Sequence, residues 1–191
     1  RGTPDQAEAR LWAYRDSASF QALVDLLCEV SLEYLSGQVR AGAEVLQIFD
    51  SWAGSLPDTE FARWVVAPTM RLVSALKERH PAVPIIGFPR GAGDKLKSYV
   101  AATRVDGISC DSGVPLALMA GELSTRVTVQ GNLDPLALVA GGAALAARTL
   151  EILAALRGKR FIFNLGHGIV PETPPENVAV LVNLVRGQQP T

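Results

Sequence analysis

A chain of 191 residues suits one domain, and with 48% apolar residues it can bury a sizeable core. Its 18 basic and 19 acidic residues leave a net charge of −1 with no run of either sign, which argues against a face that binds nucleic acid or another polyanion. Two cysteines, Cys28 and Cys110, form no CxxC and fit a reduced intracellular setting; no apolar run reaches ~18 residues, so no membrane span is expected, and the charged first ten residues do not read as a signal peptide.

In chain order, residues 1–16 read as a loop or short helix. Ser17 to Val39 is a helix: Leu23, Leu26, Leu27, Val30, Tyr34 and Leu35 recur at spacings of three and four, and Ser17 or Ser19 is placed to cap it. Ala41-Gly42 ends that helix. A strand follows near 45–50, where the apolar run turns polar at Asp50 and Ser51. Pro57-Asp58-Thr59 starts a helix, and Pro68 implies two helices or a kink before about Arg79, since proline is tolerated in a first turn and disruptive deeper in. Further strands are expected near 84–88, 107–110, 127–131 and 161–164, separated by helices at Asp94 to Thr103, after Pro115, at Pro135 to Val139 and at Ala143 to Leu156. A last helix starts at Pro174-Pro175-Glu176, and residues 188–191 are a tail.

Strand and helix alternate throughout, which predicts right-handed βαβ units and a parallel sheet. Two α/β architectures fit: an open doubly wound sheet of five strands, or part of a (β/α)8 TIM barrel. In the open sheet, ligand chemistry gathers where strand order reverses; in a barrel, the carboxyl ends of all strands converge on one site. All five strand ends here are polar or glycine-rich: Asp50-Ser51, Pro89-Arg90-Gly91, Asp111-Ser112-Gly113, Gly131-Asn132 and Asn164-Leu165-Gly166-His167-Gly168. That favours the barrel. A whole barrel takes eight strands and typically ~250 residues, so the expectation is a single unit, residues 1–191, forming the carboxyl-terminal part of a barrel and lacking its first three strands.

The strand ends also supply the candidate site residues. His167 stands between two glycines, which permit close approach of a ligand to backbone; the alternative is a turn histidine bound to local backbone. Ser51 is not in a Gly-x-Ser-x-Gly elbow, so hydrogen bonding to a substrate suits it better than nucleophilic attack, with a turn or cap role as the alternative. Asp50 is an acid, a base or a structural partner of a neighbouring strand. Asp111 and Ser112 are substrate contacts or a cap before Pro115. Arg90 could hold a carboxylate or lie on the surface. Gly91-Ala92-Gly93 could cradle a phosphate but lacks a full GxGxxG, and a plain loop accounts for it. Asp134-Pro135 reads as an N-cap followed by proline at the first helical position, and His80 as a helix-end residue.

Taken together, five motifs carry a resemblance. Gln38-Val39 with Ala41-Gly42-Ala43, then Leu46-Gln47-Ile48-Phe49-Asp50-Ser51-Trp52-Ala53-Gly54, Gln130-Gly131-Asn132-Leu133-Asp134-Pro135, Asn164-Leu165-Gly166-His167-Gly168-Ile169, and Pro171-x-Thr173-Pro174 resemble, in this order, the uroporphyrinogen decarboxylases. The resemblance covers nearly the whole chain. It implies a TIM barrel and a cytoplasmic enzyme of haem and porphyrin biosynthesis, a lyase that removes four acetate carboxyl groups from uroporphyrinogen III to give coproporphyrinogen III. It implies no metal and no organic cofactor, a tetrapyrrole as the small-molecule partner, and a homodimer for the full-length protein. By motif, Ser51 and His167 match the family's substrate-contacting serine and histidine, and Phe49 an aromatic lining the pocket. The family's essential aspartate, its carboxylate-binding arginines and an active-site tyrosine lie in an amino-terminal part that nothing here matches. No catalytic residue is therefore assigned within this chain, and the isolated chain is expected to be inactive. Two other readings compete. The zinc-dependent, corrinoid-type methyltransferases of the same superfamily hold their metal through a His-x-Cys pair and a later Cys, and the corresponding run Ile85-Ile86-Gly87-Phe88-Pro89-Arg90-Gly91 has neither. The other is a non-catalytic barrel fragment that associates through its open sheet edges.

Overall fold

The computed structural model of the chain describes residues 4–187; the expected tail at 188–191 lies outside them. After a 3-10 turn, Pro4–Gln6, come helices α1 (Ala7–Arg15) and α2 (Ser17–Arg40). Asp16, rather than Ser17 or Ser19, caps α2: its carboxylate accepts the Ser19 N–H at 3.1 Å. Five strands follow: β1 (Leu46–Asp50), β2 (Ile85–Pro89), β3 (Gly107–Ser109), β4 (Thr128–Gln130) and β5 (Phe161–Ile162). They pair in parallel and in chain order, β1-β2-β3-β4-β5. Strand order never reverses, so the sheet has no switch point of the doubly wound kind. This is the arrangement of part of a (β/α)8 barrel.

The sheet is also strongly curled. The Gln130 Nε2 of β4 donates to Gln47 Oε1 of β1 at 3.1 Å across the concave face. In a flat sheet these strands, three places apart, would be separated by about 14 Å. Parity along each strand explains the two faces. Gln47, Phe49, Ile86, Phe88, Ser109, Gln130 and Ile162 share the concave side by register, whereas Leu46, Ile85, Ile108 and Val129 point to the helices. There they meet the buried side chains Leu72, Val73, Leu76, Leu96, Tyr99, Met119, Leu138, Leu145 and Ile152, which form the core.

Helices fill the outer layer. After β1 come α3 (Asp58–Phe61), a π-helical turn (Ala62–Val66) and α4 (Ala67–Arg79), with non-helical backbone nowhere between them. Pro68 stands in the first turn of α4, as expected, and the joint before it is a π-helical irregularity and not a break in the backbone: the Ala67 N–H reaches back five residues to the Ala62 carbonyl, so the missing Pro68 N–H interrupts no regular ladder. After β2, Asp94 lies in a 3-10 turn and makes no cap for α5 (Leu96–Thr103). Helix α6 (Leu116–Gly121) follows β3; α7 (Pro135–Ala140) and α8 (Gly142–Ala155) follow β4; α9 (Pro175–Val185) follows β5. Asp134 caps α7 as expected, accepting the Leu136 N–H at 2.9 Å. His80 is the C-cap residue of α4. No described helix is long and apolar enough to cross a membrane.

Candidate functional site

Above the strands, the loops at their carboxyl ends are stitched to one another in sequence. The Gly54 N–H donates to the Arg90 carbonyl at 2.9 Å, joining the tips of β1 and β2. Gly91 N–H donates to Asp111 Oδ2 at 2.7 Å, joining β2 to β3. Asn132 Nδ2 donates to the Asp111 and Val114 carbonyls at 3.1 and 2.8 Å, joining β4 to β3. Gly166 N–H donates to the Leu133 carbonyl at 2.7 Å, joining the loop after β5 to β4. Two of these contacts need glycine. A Cβ on Gly54 would overlap the Gly91 carbonyl, and one on Gly166 would overlap the Ser112 backbone.

This stitched rim encloses a cleft of about 290 Å³ lined by Ser51, Trp52, Arg90, Asp111, Ser112 and His167, among others. Ser51 and His167, though 116 positions apart in sequence (167 minus 51), therefore face one space. Phe49 does not line it. It stands two residues before Ser51 on the concave face, 65% exposed, and is linked to the cleft by ring contacts: Phe49 edge-on to Phe88 at 5.8 Å, then Phe88 tilted against His167 at 6.3 Å between centroids. The volume lies just under the ~300–1,000 Å³ range of small-molecule sites, and the lining is about half polar and half apolar.

The other strand-end residues divide. Asp50 turns away from the cleft, as its parity with Leu46 and Ile48 requires, into an apolar cavity with Ala13, Phe20, Leu27 and Trp64. Burial there raises its carboxyl above the ordinary value of 3.8, partly offset by the backbone N–H groups of Trp52 and Ala53. The Asp50 carboxylate accepts the Trp52 N–H of its own loop at 3.3 Å, and no side-chain contact to a neighbouring strand is found among the described residues. Asp111 lines the cleft but caps no helix; its second oxygen accepts the Gly113 N–H at 2.9 Å, so both oxygens serve the loops. The Gly91 N–H is spent on Asp111, which leaves Gly91-Ala92-Gly93 a loop and not a phosphate cradle.

Sequence reading missed the polar layer beneath the cleft, where Gln130 Nε2 also reaches Ser109 Oγ at 3.2 Å. The signal was present, since Gln47 lies two residues before Phe49 and must share its face. It also missed the rim role of Asn132, a buried residue whose Oδ1 has no partner among the described residues. No described group of three or more His, Cys, Asp or Glu side chains is placed to hold a metal.

The family model for uroporphyrinogen decarboxylase (URO-D) matches residues 1–188. The chain belongs to the uroporphyrinogen decarboxylase family. It is 50% identical over 186 residues to the uroporphyrinogen decarboxylase of Novosphingobium aromaticivorans, covering 97% of this chain and 54% of that protein. It is 51% identical over 187 residues to that of Sphingopyxis alaskensis, covering 98% and 55%, and 50% identical over 182 residues to that of Rhodospirillum rubrum, covering 95% and 52%. The chain thus spans about half the length of the curated relatives it matches, and the decarboxylase resemblance seen in its motifs extends along nearly all of it.

Proposed function

We propose that the protein of which this chain forms part is a uroporphyrinogen decarboxylase: a cofactor-free carboxy-lyase of tetrapyrrole biosynthesis that converts uroporphyrinogen III to coproporphyrinogen III. The observation that carries the reading is the shared cleft of Ser51 and His167 at the carboxyl end of the sheet, where barrel enzymes build their sites, in a chain of this family. The Ser51 hydroxyl and the His167 imidazole are assigned to hydrogen bonding with the substrate, and the Phe49–Phe88 ring pair to the apolar wall beneath it. No catalytic acid is assigned within these residues.

An electron-rich pyrrole can act as its own electron sink, so the chemistry needs no prosthetic group. A pyrrole carbon takes up a proton, and the ring becomes a cation able to accept an electron pair. The bond between the acetate methylene and its carboxylate then breaks, CO2 leaves, and the pair flows into the ring. The exocyclic methylene is reprotonated to methyl, while the first proton is lost from the ring carbon. The net change at each arm is one proton taken up and one CO2 released. What the protein must add is orientation, a proton source and fixed dipoles that favour the ring cation. Those groups come from several strands of a complete site, so the activity is assigned to the whole protein, a cytoplasmic homodimer in this reading, and not to the 191-residue chain alone.

The test is an assay of coproporphyrinogen formation under reducing, anaerobic conditions. The full-length protein is expected to turn over after dialysis against a chelator. The purified 191-residue chain, free of longer species by mass, is expected to show none. Turnover by the chain alone would overturn the assignment of the missing catalytic groups, and an inactive full-length protein would overturn the function.

A further inference from the structure

We propose that Arg90 is a further anion anchor, contributed by this part of the protein, and that the carboxylate it takes is one the reaction leaves in place, a propionate and not an acetate of the tetrapyrrole. The proposal rests on the function given above and assigns a residue to the part of the substrate that must be recognised unchanged through every step.

Placement is the first argument. Arg90 follows β2 directly and is pinned on both sides. Its N–H donates to the Asp50 carbonyl at 3.0 Å and its carbonyl accepts the Gly54 N–H at 2.9 Å. The next residue, Gly91, is bound to Asp111. The residue is half-buried and lines the same cleft as Ser51 and His167. A long side chain on so fixed a backbone loses less freedom on binding than one on a mobile loop.

The second argument is unspent charge. Arg71, Lys77, Arg79, Lys97 and Arg148 are all committed to ion pairs. Arg90, like several other basic residues, has no ion pair and no side-chain hydrogen bond of its guanidinium among the described residues, and it is the one cation among the residues that line the cleft. The carboxylate that shares its cleft, Asp111, already accepts from Gly91 and Gly113. A planar fork of five N–H donors thus belongs to the lining of the cleft, with no acceptor found for it among the described residues. A carboxylate fits that fork in a bidentate manner, which a point charge cannot reproduce.

The chemistry of the reaction selects the carboxylate. Loss of CO2 withdraws negative charge from the departing carboxylate and sends it into the ring. A guanidinium clamped on that group would stabilise the ground state more than the transition state and slow the reaction. On a carboxylate that stays charged throughout, the same contact binds ground and transition state alike and lowers KM without opposing kcat. The four propionates meet that condition and the four acetates do not.

The experiment uses the full-length protein with Arg90→Gln and Arg90→Lys, assayed on uroporphyrinogen and on the intermediates bearing seven, six and five carboxylates. Arg90→Gln is expected to raise KM by about 10-fold or more for every step, with kcat within about threefold of the unsubstituted protein. Arg90→Lys should recover part of the loss, since charge returns without the fork. KM values within about twofold of the unsubstituted protein overturn the proposal. So does a fall in kcat at unchanged KM, or a kcat that rises in Arg90→Gln, which would put the guanidinium on the departing group. Melting curves establish that each variant is folded. If Arg90→Gln does not fold, Arg90→Lys decides alone, with a KM increase of about threefold supporting and an unchanged KM overturning. An unsubstituted protein without turnover sinks the functional reading and this proposal with it. Normal turnover with an indifferent Arg90 sinks this proposal only.

Discussion

Phe49 and Phe88 are directly opposite one another in the β1–β2 register and share the concave face, yet Phe88 is 3% exposed and Phe49 is 65% exposed. The two residues have the same chemistry and the same parity. They differ in neighbours: β2 has a strand on each side, whereas β1 pairs only with β2 among the described residues. The same gradient runs across the whole sheet. Every residue of β2 and β3 is buried, while β1 and β5 are half-open, and Ile162 of β5 projects from the concave face largely uncovered. It extends to the outer layer, where Leu26, Leu27, Val30 and Tyr34 of α2 are exposed although α2 packs α4 through its other face. In a parallel sheet, burial belongs to the assembly of neighbouring βα units and not to the strand itself.

Truncating each of the two rings should have very different costs. In the 191-residue chain, Phe88→Ala is expected to cost ~3–5 kcal/mol, the range for a buried phenylalanine, enough to unfold a marginal domain. Phe49→Ala should cost less than about 1 kcal/mol, because a mostly hydrated ring has little transfer energy to lose. Urea unfolding of the two variants checks this, and equal costs would show that the edge is packed as tightly as the centre. In the full-length protein the cost at Phe49 should climb towards that at Phe88 if further strands cover it.

A second, smaller effect separates the two faces of β1. Burial raises the Asp50 carboxyl on the helix side. A carboxyl whose folded pKa lies above its unfolded one loses the fold stability as pH rises, beginning at the ordinary carboxylate range and ending above the folded value. Asp50→Asn removes that penalty, and its amide oxygen can still accept the Trp52 N–H that Asp50 Oδ1 accepts at 3.3 Å. The variant should melt higher at neutral pH, with the gain gone in acid below the ordinary carboxylate value. A variant that melts lower at neutral pH would show that the ionised carboxylate is needed.

The smallest effect concerns reactivity and not stability. Cys110 follows β3 in the fully buried centre, where burial pushes its thiol up to about 12; Cys28, on α2, is half-buried, and burial raises it as well. A thiol reagent at mildly alkaline pH should titrate one cysteine, Cys28, more slowly than a free thiol, and reach Cys110 only on unfolding. Two equally fast thiols would show that the centre opens as readily as the margin.

Local pattern was sufficient for the parts of this protein that local physics controls. Alternation of apolar runs with amphipathic segments specified five parallel strands and their helices, and the polar tips pointed to one end of the sheet as the site. The motifs around Ser51 and His167 carried the family. Tertiary structure alone decided matters that depend on what stands opposite. Whether Asp50 served chemistry or packing turned on strand parity together with the position of α1 and α2. Whether Asp111 was free turned on a glycine N–H twenty residues away, and Pro68 was accommodated by a π-turn that propensity does not encode. Pattern identifies which side chains need a partner, because hydrophobicity and hydrogen-bonding capacity are properties of each residue. Only the assembled fold supplies the partner, because distance between chain-remote groups is a property of the whole.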